Sequence, residues 1–277
     1  MAITAAAVKS LRERTGLPMM DCKKALEEAG GDEDAAIETL RKKGAAKFTE
    51  RQSRETAFGR IAVHASLKPG VGAMVELKCE SAPMTKQEDF VRLADDLAKQ
   101  LATGPGAATA DELLAQPSPS DPSKTLADIR DDAFNRMREV FNVGRMVRID
   151  GPCGGYSHNA GTIAGVLVEA EGGNEELLKD IAMHIAAMRP MALTVEELDP
   201  AVVAKEKEIL TEASRAEGKP VNIIEKMVIG RMRNFYAERV LLEQPFVKDD
   251  KQSVGKVAKA AGAKLKRFVH WILGEQT

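Results

Sequence analysis

Two stretches of this chain, residues 60–101 and 144–188, carry the same texture. In each, two short strand-like segments precede a segment with helical spacing. In the first, Ile61-Ala62-Val63-His64-Ala65-Ser66 and Ala73-Met74-Val75-Glu76-Leu77-Lys78-Cys79 read as strands joined across Pro69-Gly70-Val71-Gly72. Phe90, Leu93, Leu97 and Leu101 then form one apolar helical stripe. In the second, strands at 144–149 and 162–170 flank a glycine-rich turn, Gly151-Pro152-Cys153-Gly154-Gly155, with residues 156–159 in a loop. A helix at 174–188 follows and is closed by Arg189-Pro190. A doubled strand-strand-helix unit implies an α+β chain with two related subdomains and antiparallel sheets.

The segment ahead of them is different. Thr4 is placed to cap a helix whose Val8 and Leu11 lie on one face, and Thr15-Gly16-Leu17-Pro18 stops it. Residues 19–29 make a second helix, ended by Gly30-Gly31. Asp32 caps a third, with Ala35, Ala36, Ile37 and Leu40 inward and Gly44 at its end. Three such helices form a small bundle with a thin core. Met19 and Met20 beside a Gly-Leu-Pro loop are either core filler or an adaptable docking surface. The charged run from 42 to 60 reads as a solvated helix or linker.

Elsewhere, Thr125 to Phe141 reads as a helix after a Pro/Ser-rich loop at 116–124. Two long charged helices, 199–215 and 221–237, are joined by Glu217-Gly218-Lys219-Pro220, which implies an antiparallel hairpin. Residues 250–261 read as one more helix and 264–273 as a final strand.

Composition narrows the function. Aromatics are 4% of residues, so the core is aliphatic. A net charge of -2 lacks the basic excess of a phosphate-tracking nucleic-acid binder, although Lys264, Lys266 and Arg267 make a small local patch. Three scattered cysteines with no CxxC pair argue against a zinc site or a disulfide framework and fit a reducing cytoplasm. The start of the chain has no secretory h-region, and no run is long enough to span a bilayer. No HExxH, GxSxG or Walker-type loop is present. Cys153 in its glycine turn and His184 on its helix read as structural before they read as catalytic.

One family accounts for the segments together. Leu11-Arg12-Glu13-Arg14-Thr15-Gly16-Leu17-Pro18-Met19-Met20-Asp21-Cys22-Lys23-Lys24-Ala25-Leu26 resembles the N-terminal signature of the translation elongation factor Ts family. Val75-Glu76-Leu77-Lys78-Cys79, Ile181-Ala182-Met183-His184, Gly218-Lys219-Pro220, Glu225-Lys226-Met227-Val228 and Gln244-Pro245-Phe246 follow in the family's order. The resemblance implies a guanine-nucleotide exchange factor that binds elongation factor Tu in its GDP-bound and nucleotide-free states. No bond-making chemistry, cofactor, direct nucleic-acid contact or membrane association is implied. It further implies a ubiquitin-associated-like three-helix domain at 1–52, an N-terminal core subdomain at 53–141 and a C-terminal one at 142–277, with the helical hairpin inserted at about 199–237. Arg12, Met19 and Met20 fall at the family's docking positions, and His158 at one facing the partner's third domain. The family's hairpin also admits self-association.

The segment after Cys79 departs from the family. Many members continue with Thr-Asp-Phe-Val, whose Phe wedges into the partner near its magnesium site. Asp89-Phe90-Val91 imitates that motif but lies too far along. The spacing instead aligns the motif with Ser81, Ala82, Pro83 and Met84. Phe90 belongs to the stripe with Leu93 and Leu97. Either the stiff Ala82-Pro83-Met84 tip supplies an apolar wedge, or the chain holds its partner without much exchange.

Overall fold

Thr4 caps the first helix: its hydroxyl accepts the Ala7 N–H at 3.2 Å. This helix, α1 (Ala5–Thr15), ends at Gly16, whose φ of 68° an L side chain rarely adopts. The second helix, α2 (Met19–Glu28), starts after Pro18. Asp32 then accepts the N–H groups of Asp34 and Ala35 and opens α3 (Glu33–Arg51). Leu11, Cys22, Leu26 and Ala36 are fully buried between these helices, with Val8, Leu17 and Leu40 almost so. Ala35, expected inward, is exposed. The computed structural model describes residues 3–51, 53–217 and 220–275.

The chain divides into two units. The first comprises residues 1–62, 74–147 and 273–276. Beyond the helices it holds most of β1 (Phe58–Ser66) and β2 (Val71–Cys79), then α4 (Glu88–Thr103), α5 (Ala110–Leu114), α6 (Leu126–Met137) and β3 (Phe141–Ile149). The sheet order is β1-β2-β3. The α4 stripe is as expected: Phe90, Leu93, Leu97 and Leu101 are buried, and Phe90 meets the Phe141 ring edge-on at 5.1 Å.

Three expectations shift in this unit. Gly44 does not end α3 but lies within it, because a Cβ there would stand 2.0 Å from Asn135 Oδ1. The helix expected to reach Phe141 stops at Met137, where Arg138 turns left-handed at φ 62°. Phe141 instead begins a strand, and that strand pairs in the first sheet rather than with residues 162–170. The short α5 carried no stripe to announce it.

The second unit comprises residues 63–73 and 148–272. It contains β4 (Cys153–Ala160), β5 (Thr162–Glu171), α7 (Glu175–Met188), α8 (Pro200–Ala216), α9 (Val221–Arg239), β6 (Pro245–Phe246), β7 (Asp249–Ser253), α10 (Val254–Ala260) and β8 (Lys264–Ile272). Its main sheet is antiparallel, in the order β4-β5-β8. Val166, Val168, Leu178, Ile181, Ile185 and Phe246 centre its core.

The glycine-rich segment 151–155 is therefore the start of a strand, and residues 156–159 continue that strand rather than looping. A Cβ on Gly154 would stand 2.2 Å from Leu178 Cβ, so the glycine lets α7 lie against the strand. Residues 250–253, expected in a helix, lie in β7 of the small β6-β7 ribbon, where Ser253 pairs with Pro245 and also caps the shorter α10. The hairpin α8–α9 packs through Ile224, Val228, Met232 and Phe235, with Val203 and Leu210 against them. Gly218 and Lys219 of its expected loop lie outside the described residues.

Candidate functional site

The residues singled out in the sequence sit on three separate supports. Arg12 is exposed on α1. Met19 and Met20 open α2 and are 51% and 59% exposed. Pro18, with φ -57°, sets the chain direction just before them. The core-facing side of α2 is Cys22, Ala25 and Leu26, so the two methionines add nothing to the bundle interior. They form an apolar surface on a rigid frame.

The second support is the end of β2. Residues Ala82–Lys86 form one 3₁₀ turn with Pro83 in its first positions. Ala82 and Pro83 are exposed and Met84 is half-buried. Contacts from distant parts of the same unit fix the turn's entry. Glu139 accepts both the N–H and the hydroxyl of Ser81. Glu80 accepts the Val140 N–H at 2.9 Å and pairs with Arg54 at 3.1 Å. The Thr85 hydroxyl donates to Ala82 O at 2.8 Å, and Arg60 donates to Thr85 O at 3.3 Å. Glu80, Glu139 and Arg60 were missed in the sequence because their bonds join residues 25 to 60 positions apart, beyond the reach of local pattern.

The third support is β4 in the second unit. His158 Nδ1 and the Tyr156 hydroxyl share a hydrogen bond of 2.9 Å. Both line an open pocket of about 310 Å³ with Met183, Ala187 and Arg189.

The remaining reactive-looking side chains have structural explanations. His184 is fully buried. Its Nδ1 accepts the Val247 N–H at 3.3 Å, so Nε2 carries the proton and donates to Gln244 Oε1 at 2.9 Å. Burial lowers its pKa and keeps it neutral, against the opposing pull of the Gln244 hydrogen bond. Cys153 and Cys79 are buried thiols pushed up to about 12, chiefly by desolvation, with Glu169 adding to the first and Glu139 to the second. A nucleophilic cysteine needs the opposite shift. At pH 8 native Cys79 and Cys153 should react with a thiol reagent about a thousandfold more slowly than in denaturant, because thiols pushed up to about 12 hold that much less thiolate than free ones. Competition alkylation read by mass spectrometry checks this, and comparable rates would mean the thiols are accessible.

Lys266 and Arg267 pair with Glu171 at 2.8 Å and Glu169 at 2.7 Å, so part of the expected basic patch is neutralised. Among the described residues no group of His, Cys, Asp and Glu is placed to hold a metal ion. No helix among them is long and apolar enough to cross a membrane. What the three supports offer, each by itself, is surface: two exposed methionines, an apolar turn, and an imidazole held by Tyr156.

Residues 84–275 match the family model described as Elongation factor TS. A protein named Elongation factor Ts from Methylococcus capsulatus is 46% identical over 278 aligned positions, covering 99% of this chain and 93% of that protein. Its namesake from Thioalkalivibrio sulfidiphilus is 42% identical with the same coverage. The one from Aquifex aeolicus is 39% identical and covers 99% of both chains.

Proposed function

Because this chain belongs to the elongation factor Ts family, and so to the translation elongation factors, we propose that it is the guanine-nucleotide exchange factor of elongation factor Tu. It acts in the cytoplasm by binding the GDP-bound partner and stabilising its nucleotide-free state. It makes and breaks no covalent bond. A protein that binds the nucleotide-free form better than the GDP form must, by linkage, weaken GDP by the same factor. Arg12, Met19 and Met20 dock one domain of the partner, Ser81 to Met84 press beside its nucleotide site, and His158 meets a further domain.

The observation that carries this reading is the turn at Ala82–Lys86. It is small, apolar and exposed at its tip, and its base is fixed by Glu80 and Glu139. A wedge works when its shape is set before contact, since little ordering entropy is then lost on binding. The turn lacks the carboxylate and ring that many relatives carry there. A stabilising partner with little exchange activity is therefore the second reading.

Stopped-flow release of a fluorescent GDP from elongation factor Tu, at low and high magnesium, separates the two. Strong acceleration supports exchange. Tight binding with unchanged release supports the holding partner. Pro83→Gly with Met84→Ala should lower the acceleration about tenfold, the equivalent of ~1.4 kcal/mol of lost contact and stiffness. Unchanged release would remove the tip from the mechanism.

A further inference from the structure

The segment between α6 and β3 is three residues long, Arg138-Glu139-Val140, and these residues reach two different parts of the first unit. Val140 donates its N–H to Glu80 at 2.9 Å. Glu139 accepts the Ser81 N–H at 3.1 Å together with the Ser81 hydroxyl. Both therefore hold the entry to the Ala82–Lys86 turn. Arg138 reaches elsewhere. Its guanidinium donates to Asp21 on α2, two residues beyond Met19 and one beyond Met20. Three adjacent residues thus touch the supports of both the methionine surface and the turn.

The backbone there is an unusual place for an arginine. Among the described residues only Arg138 and Arg189 combine a side chain with a positive φ. At φ 62° and ψ 23° Arg138 fills a helix C-cap that glycine occupies without strain. A glycine would keep the cap bond from this N–H to Phe134 O at 2.7 Å. What the arginine adds is the link to Asp21. That pair is partly open to solvent, with side chains 30% and 35% exposed, so it contributes little to folding. A strained backbone carrying a weakly stabilising pair points to a task other than stability. The frame around it is already stiff. Phe134 meets the Phe48 ring edge-on at 5.3 Å, which joins α6 to α3, and Arg51 of α3 donates to Arg138 O at 3.4 Å. Arg138 adds α2 to that frame.

We propose that Arg138 is a positioning residue: through Asp21 it locks the methionine surface of α2 to the turn that Glu139 holds, so that dock and wedge meet the partner as one piece. Once Met19 and Met20 are seated, the turn then stands at a set distance and angle beside the nucleotide site, and little ordering remains to be done. The effect on rate rests on the exchange reading; the mechanical link between α2 and the turn does not.

Arg138→Asn tests this in the full chain, because asparagine suits the left-handed turn but is too short to reach Asp21. Nitroxides on Lys23→Cys and Lys86→Cys, both exposed, report the distance from α2 to the turn by electron paramagnetic resonance, while the three native cysteines are buried. One narrow distance distribution is expected, broadened by Arg138→Asn. Arg138→Asp combined with Asp21→Arg rebuilds the pair in reverse and should narrow it again. In stopped-flow release of fluorescent GDP from elongation factor Tu, Arg138→Asn should keep its half-saturating concentration but lose about tenfold in rate at saturation, since a misplaced contact costs rate. The charge swap should recover that rate, and the melting temperature should stay in place throughout. If the natural chain itself fails to accelerate release, the exchange reading falls and the distance distribution alone decides the link. A distribution that Arg138→Asn leaves narrow, a swap that recovers nothing, or a lowered melting temperature with release unchanged would make the pair merely structural and overturn the proposal.

Discussion

Met19→Ala with Met20→Ala is expected to slow the acceleration of GDP release about a hundredfold at subsaturating protein, with the melting transition unmoved. The two halves of this result have different causes. Both side chains are more than half exposed and point away from the core that Cys22, Ala25 and Leu26 build with Leu11 and Leu17. Truncating them opens no cavity, so folding loses nothing. Against a partner the balance reverses. Fully burying a methionine is worth about 1.5–3 kcal/mol, and these two are adjacent on one helix turn. A combined loss of about 2.8 kcal/mol corresponds to a hundredfold in affinity. The helix already holds them in place, and methionine's unbranched chain adapts to the opposing surface at small cost. The loss should therefore be one of docking. Raising the variant's concentration should restore most of the rate, because the Ala82–Lys86 turn is untouched. A rate that stays low at saturation would place the methionines in the exchange step itself. An unchanged rate at every concentration would put the docking surface elsewhere.

The sequence made legible those features that repeat along the chain. Phe90, Leu93, Leu97 and Leu101 recur at helical spacing and are buried as that spacing implies. Thr4 and Asp32 cap helices through local bonds to N–H groups two or three residues ahead. What failed was glycine. Gly44 looks like a stop signal, and residues 151–155 look like a turn, because glycine in sequence signals conformational freedom. In the fold, Gly44 and Gly154 signal proximity: something passes where a Cβ would be, Asn135 in one case and Leu178 in the other. Those partners lie 91 and 24 residues away, and no local pattern carries them. Residues 250–253 failed for another reason. Their polar side chains show neither a period of 2 nor one of 3.6, and what places them is the pairing of Asp249 and Ser253 in a two-stranded ribbon, with Asp249 accepting from Lys251 and Gln252. The site divides the same way. Met19, Met20 and Pro83 were visible as residue types in context. Glu80 and Glu139, which aim the turn, were ordinary surface-looking acids until the fold brought them to Ser81 and Val140.

The β2 strand that delivers the turn depends on a group that strand patterning would place outside. Glu76→Ala is expected to destabilise the first unit by about 3–5 kcal/mol, read from chemical denaturation. Glu76 is only 5% exposed amid a run of buried neighbours from Val71 to Leu77. Its carboxylate accepts Arg145 Nη2 at 2.8 Å and the Arg145 backbone N–H at 3.3 Å. Gly144 beside it leaves the space, since a Cβ there would stand 2.4 Å from Glu76 Oε2. Removing the carboxylate leaves the guanidinium and a backbone N–H in a mostly buried place with a principal acceptor gone. That is the costly way to break such a pair. The inexpensive way is to remove both charges. Glu76→Leu with Arg145→Met should lie within about 1–2 kcal/mol of the natural chain on either side, because the desolvation of two ions disappears together with their attraction. The double-mutant cycle then gives a strongly favourable coupling without implying that the pair stabilises the fold over an apolar one. If Glu76→Ala costs less than about 1 kcal/mol, water reaches Arg145 and the pair belongs to the surface. If the cost is as expected, exchange should fall only with the folded fraction, since Glu76 lies five residues before Ser81 and reaches the turn only through the strand that carries it.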